Sequence, residues 1–319
     1  MKITFSLLAF LILGISCDSE KKEEPSPNFP EFVNGTFSFQ NNQRKYILHI
    51  PESYDGRANV PLVVFLHGGG GNAQTAQGFT NFNTVSDSEG FLMLYPQAFF
   101  ETAPDSYAWA DGRGLAPDKL GIDDVGFVDA VVSALKSEYK IDNQRVYLCG
   151  FSNGSFLTQR IAFQKNSQFA AFGTLGGTMN ESLFTDGDPG RAIPMMYVFG
   201  TADPLVPYEG GYVSGNTELE AVKGAEEAVT YWKENNNCTT ARAKVELANI
   251  NITDNSTVEV YSYTDCDCDA DVKFYKVIGA GHTWPGVPLP YVHSFGETSL
   301  DIQASVELWN FFKQFTRCE

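Results

Sequence analysis

The stretch Arg145–Phe163, RVYLCGFSNGSFLTQRIAF, decides the fold. Val146–Cys149 is a short apolar run that reads as a buried strand, and Phe156–Gln164 has helical spacing. Between them lies Gly150-Phe151-Ser152-Asn153-Gly154, a G-x-S-x-G pattern. A serine on so sharp a strand-to-helix turn needs small neighbours, and the flanking glycines remove side chains that would collide. The positive end of the following helix favours negative charge on the serine oxygen. Ser152 is therefore the candidate nucleophile.

The segments on either side repeat the strand–helix alternation. Arg44–Ile50, Pro61–Leu66, Phe91–Tyr95, Met195–Phe199 and Val272–Ile278 read as further strands, most of them continuously apolar and so buried on both faces. Val125–Tyr139, Glu218–Asn235 and Ser299–Thr316 read as helices, with Asp123 or Asp124 capping the first. Such alternation predicts an α/β fold with a mostly parallel central sheet covered on both faces. Ligands bind beyond the carboxyl ends of such strands. Four loops fall there: HGGGGN after Leu66, GFSNGS after Cys149, GTADP after Phe199 and GAGHTWPG after Ile278.

A serine hydroxyl needs a base. The chain has four histidines. His49 lies inside a strand, His67 shapes the glycine loop, and His293 sits in a proline-rich loop. His282 follows a strand on the rim where Ser152 emerges and is the candidate base, with His293 second. Asp203 follows Met195–Phe199 on the same rim and would orient the imidazole. The order Ser, Asp, His is the one this architecture uses. The oxyanion formed in acyl transfer needs fixed donors. Asn153 N–H is one, and the Gly68–Gly71 run supplies the other from Gly69 or Gly70. Trp284, Trp109 and His67 are candidates for the substrate pocket.

The motifs LHGGGGNA, WADGRG, DDVGF, RVYLCGFSNG, FGTADPLVPYEGG and GAGHTWPG resemble the secreted polyhydroxybutyrate depolymerase and feruloyl esterase family of α/β-hydrolases. The resemblance runs from about Tyr46 to the last helix. It implies the α/β-hydrolase fold, ester hydrolysis through an acyl-enzyme, no metal and no cofactor, with Ser152, His282 and Asp203 as nucleophile, base and orienting acid. Feruloyl or acetyl esters of plant polysaccharide and polyhydroxyalkanoate esters are the implied substrates. Ser155 departs from the family pattern, standing where a second glycine is common, and Phe199 stands in place of a histidine. Within enzymes the alternative is a prolyl-oligopeptidase-like peptidase. Outside them it is a non-catalytic envelope binding protein, which would not need an intact triad.

The first residues carry Lys2, an apolar run Ile3–Ile15, then Ser16 and Cys17, an export signal too short to span a bilayer. Cys17 before a polar tract resembles a lipoprotein acylation site, although Gly14 stands where that signal usually has Leu. Residues 1–16 are read as the signal and 17–31 as a lipidated cysteine with a charged, proline-rich tether. Residues 32–319 form one catalytic domain. Localisation is expected at the cell envelope or outside the cell. With 22 basic and 39 acidic residues the formal net charge is −17, a surface that repels nucleic acid and anionic headgroups. The membrane is expected to be met only through the lipid, and the protein to be a monomer.

Export permits disulfides. Without Cys17 five cysteines remain, so one at least is free. Cys149, in a buried strand, is that one. Cys238 is expected to pair with Cys266 or Cys268, and Cys318 to take the other. Sequence does not fix the connectivity. The acidic run Asp265–Asp271 has neither the Gly nor the Glu of an EF-hand loop at the required places, having Ala270 and Lys276 instead. It reads as an acidic loop held by disulfides.

Overall fold

A computed structural model describes residues 29–240, 243–288 and 292–318. Its centre is a ten-stranded sheet. In chain order the strands are β1 (Phe32–Phe39), β2 (Asn42–His49), β3 (Val60–Leu66), β4 (Leu92–Pro96), β5 (Ile141–Phe151), β6 (Ala171–Leu175), β7 (Met195–Gly200), β8 (Ala243–Glu246), β9 (Thr257–Tyr263) and β10 (Val272–Ile278). Their spatial order is β1-β2-β4-β3-β5-β6-β7-β10-β9-β8. The six central strands, from β4 to β10, are mutually parallel. The outer strands on each side are antiparallel.

The apolar runs explain the centre. Leu62–Leu66 and Val146–Cys149 are fully buried because helices cover both faces. One face packs against α3 (Asp124–Glu138), α4 (Asn153–Gln164) and α5 (Ala225–Asn235). The other packs against α1 (Ala73–Thr80), α2 (Phe82–Glu89) and α6 (Ala304–Phe312). Val128, Val131, Val132 and Leu135 form the buried stripe of α3 at helical spacing. Asp123, rather than Asp124, caps that helix, its Oδ1 accepting Gly126 N–H at 2.7 Å. Asp124 is drawn inward as the buried partner of Arg44.

Two expected helices are shorter than their sequence pattern. Val222–Lys223 pairs with Gly210–Gly211, and Gly224 N–H donates to Glu227 Oε2, so α5 starts at Ala225 instead of Glu218. Before α6, Leu300 N–H is held by Asp254, and Asp301 Oδ1 accepts the amides of Ile250 and Asn251. Those bonds keep residues 299–301 in a loop, and α6 begins at Ala304. Among the described residues no helix is long and apolar enough to cross a membrane.

Candidate active site

β5 delivers Ser152 into α4 through a tight turn. Ser152 has φ 55° and ψ −119°, a conformation that costs a non-glycine residue about 1–3 kcal/mol. The surroundings hold it there. Ser152 N–H donates to Leu175 O on β6 at 2.9 Å. A methyl on Gly150 would lie 2.3 Å from Gly154 O, and one on Gly154 would lie 2.1 Å from Leu66 O. Only glycine lets β5, α4 and β3 approach this closely. Ser155 Oγ lies 2.7 Å from the carbonyls of both Gly150 and Leu175 and accepts Leu175 N–H at 2.9 Å. The residue that departs from the family pattern thus staples the turn to β6, and it is fully buried.

Asp203 and His282 meet on the same rim, from the loops after β7 and β10. His282 Nδ1 lies 2.7 Å from Asp203 Oδ2, and both side chains are buried. Asp203 Oδ1 accepts the amides of Leu205 and Val206 at 2.8 and 2.9 Å. One carboxylate oxygen is thereby fixed by the backbone and the other by the imidazole. His282 N–H donates to Phe295 O at 2.6 Å, which fixes the ring's base. The ring then lies 4.9 Å from that of Phe151, the residue before Ser152. A methyl on Gly176, next to the carbonyl that holds Ser152, would come within 3.1 Å of the imidazole. The Ser152 hydroxyl itself makes no hydrogen bond among the described residues. Such contacts are often long in a free enzyme and tighten around substrate.

The glycine loop lies against the elbow. A methyl on Gly69 would sit 3.4 Å from Asn153 Cβ. The amides of Gly69 and Asn153 make no hydrogen bond among the described residues and remain able to donate. Gly70 does not fit the expectation placed on it. Its N–H donates to Tyr107 O at 2.8 Å, and Tyr107 N–H donates back to Gly71 O at 3.0 Å. Gly70 is a bracing residue of the loop, and of the two candidates only Gly69 keeps a free donor.

Known proteins resemble this chain in sequence and in fold. A family model described as esterase PHB depolymerase matches residues 45–202. The chain belongs to that esterase family. A bifunctional acetylxylan esterase/xylanase of Neocallimastix patriciarum is 31% identical over 163 residues, 51% of this chain and 22% of the relative. Feruloyl esterase C of Emericella nidulans is 27% identical over 190 residues, 59% of this chain and 64% of the relative. The chain thus spans under two thirds of either relative's length. The solved acetyl xylan esterase from Aspergillus awamori shares the fold, with a TM-score of 0.58 at 14% identity, over 89% of this chain and 99% of that one. Membership of the PHB depolymerase esterase family supports carboxylic ester hydrolysis. The family match contains the glycine loop and Ser152 but stops one residue short of Asp203, so the acid and base rest on geometry and on motif order.

Three residues expected in this esterase's pocket lie elsewhere. Trp284 is 1% exposed and packs edge-on against Phe65 at 5.3 Å, with Phe79, Phe82 and Phe151 around it. It buttresses Phe151 from behind. Trp109 is fully buried, its Nε1–H donating to His67 O at 2.9 Å. His67 is buried too. Its Nε2 accepts Ala98 N–H at 3.2 Å and its Nδ1 lies 2.8 Å from Gly68 O, which fits one neutral tautomer with the proton on Nδ1. Burial pushes its pKa down to about 4. Large aromatic rings were more valuable to the core than to the pocket. The side chain of His293 lies outside the described residues.

A polar network missed at the sequence level lies under the glycine loop. Asn153 Oδ1 accepts Trp109 N–H at 2.7 Å, and its Nδ2 donates to Asp111 Oδ2 at 2.6 Å. The same oxygen accepts Arg113 Nε–H at 3.0 Å and Nη2–H at 2.6 Å. Arg113 lies over the ring of Phe156 in α4 at 3.9 Å. Asp111 and Arg113 are 0% and 5% exposed. The signal was the DGR triplet, read only as part of a motif.

At the amino ends of the strands, disulfides join Cys238 to Cys266 and Cys268 to Cys318, resolving the open connectivity. Cys149 is free and buried, as expected. Both bridges fit an exported protein. The carboxylates of the Asp265–Asp271 loop are partly spent on the protein: Asp265 on Thr240 and Asp267 on Asn237. Cys17 lies outside the described residues.

Proposed function

We propose that this chain is a serine esterase in which Ser152 attacks, His282 is the general base and Asp203 orients it. His282 takes the proton as Ser152 Oγ adds to the ester carbonyl. The tetrahedral oxyanion is held by the amides of Asn153 and Gly69. The alcohol leaves with the proton from His282, and water activated by the same ring releases the acid. The observation that carries this reading is the buried 2.7 Å pair of Asp203 and His282 on the rim that also carries the strained Ser152.

The substrate reading is an acetyl or feruloyl ester of plant polysaccharide. It is supported by the acetylxylan and feruloyl esterases among the chain's relatives. A panel of acetylated xylan, methyl ferulate and hydroxybutyrate oligomers tests it. Turnover of the first or second above the third is expected; preference for the oligomers overturns the polysaccharide reading. For residues 1–31 we retain the reading of an export signal, an acylated Cys17 and a short tether.

A further inference from the structure

We propose that a groove across the carboxyl-end rim, beside the glycine loop, binds the neutral sugar chain that carries the ester. The proposal rests on the esterase reading above and names the part of the substrate that lies outside the reacting bond.

Three depressions of about 350, 130 and 380 Å³ lie in series. The first and second share Lys45, Gln97 and Tyr107; the second and third share Arg44 and Phe99. Together they form one groove that passes over the end of β4 and the start of β2. A linear polymer fits a continuous groove better than a closed cavity does.

The lining chemistry points to sugar. At one end, β1 and β2 are in register with Thr36 opposite Lys45 and Asn34 opposite Ile47. Strand alternation puts these four on one face. The side chains of Asn34 and Thr36 make no hydrogen bond among the described residues, so their donors and acceptors are uncommitted. At the other end Phe99 is 42% exposed and Leu120 67% exposed. Uncommitted amide and hydroxyl groups at one end and open apolar surface at the other match a chain of sugar rings, which offer hydroxyls at their edges and C–H groups on their faces. Charge is balanced in the first depression, which Lys45 and Asp105 both line. Arg44 is already paired with Asp124. A net charge of −17 also disfavours an anionic chain.

The groove is wired to the chemistry. Tyr107 lines its first two parts and exchanges backbone hydrogen bonds with Gly70 and Gly71. Gly69, the next residue, lies against Asn153. A chain seated in the groove therefore lies against the loop that braces the oxyanion donors.

Xylohexaose binding to the Ser152→Ala protein, measured by calorimetry, is the test. Binding is expected, and Thr36→Trp or Phe99→Ala in that background should weaken it at least tenfold. In the active enzyme each change should lower kcat/KM on acetylated xylan at least tenfold relative to p-nitrophenyl acetate. Absence of xylohexaose binding, binding undiminished in both variants, or binding of a hydroxybutyrate trimer in its place overturns the groove. An unmutated enzyme that cleaves p-nitrophenyl acetate but fails these tests keeps the esterase reading and loses this one. An enzyme that cleaves no ester loses the esterase reading, and the calorimetry still decides the groove.

Discussion

His282 and Asp203 share a buried contact of 2.7 Å, while the second oxygen of Asp203 is held by two backbone amides. The acid is therefore fixed independently of the base, and its removal should disturb the ring without unfolding the rim. Asp203→Asn is expected to lower kcat by about 10⁴-fold with a native circular dichroism spectrum. A loss below tenfold would remove Asp203 from the orienting role.

Ser152→Ala is expected to lower kcat by about 10⁶-fold and to abolish fluorophosphonate labelling. Normal labelling of that variant would mean another nucleophile. Its stability should rise or stay level, because alanine gives up the hydroxyl but keeps the same strained backbone.

Asp111 holds Asn153 and Arg113 through one oxygen. Asp111→Ala leaves a buried guanidinium unpaired and should cost about 3–5 kcal/mol of stability. It also frees the Asn153 side chain, so kcat should fall by about 10²-fold with little change in KM. An equal fall in the milder Asp111→Asn, with KM rising instead, would point to substrate contact and away from positioning.

His67 gives a pH signature of folding. Its pKa in the folded state is about 4, below the ordinary histidine value, so the unfolded chain binds more protons between those limits. Stability must therefore fall as pH drops from about 6.5 toward 4, by on the order of 3 kcal/mol from this one group. Urea unfolding at several pH values should show a shallower fall for His67→Gln than for the unmutated protein. Parallel curves would exclude this assignment.

The Cys268–Cys318 bridge spans 50 residues, and chain entropy assigns such a closure about 4 kcal/mol. The double change Cys268→Ser, Cys318→Ser should lower unfolding free energy by about 2–4 kcal/mol. Unchanged stability would show that the C-terminal segment is held without it.

What the sequence disclosed depended on locality. Gly150, Ser152 and Gly154 sit within five residues, and the strand before and helix after them are read from adjacent periodicity. The meeting of Asp203 and His282 on one rim was legible because each follows an apolar strand directly. The fates of Trp109 and Trp284 were hidden, because whether a ring lines a pocket or fills a core depends on residues far along the chain, such as Phe65 and His67. Gly70 was misread for the same reason: its amide is taken by Tyr107, 37 positions away. The Asp111–Arg113–Asn153 network joins two motifs that no spacing rule connects. The shortened helices before Ala225 and Ala304 reflect distant side chains and short ladders that outcompete local propensity.

β1 runs parallel to β4, since each is antiparallel to β2. Phe32 therefore enters the sheet at the edge opposite Ser152, level with His49 and Met93. Should the preceding residues be fastened to a lipid surface through Cys17, the tether would join the domain at the end of the sheet away from Ser152 and leave the reactive mouth unobstructed. An insoluble polymeric ester could then be met without the enzyme having to detach, and Cys17→Ser would release the activity into the medium unchanged in kind.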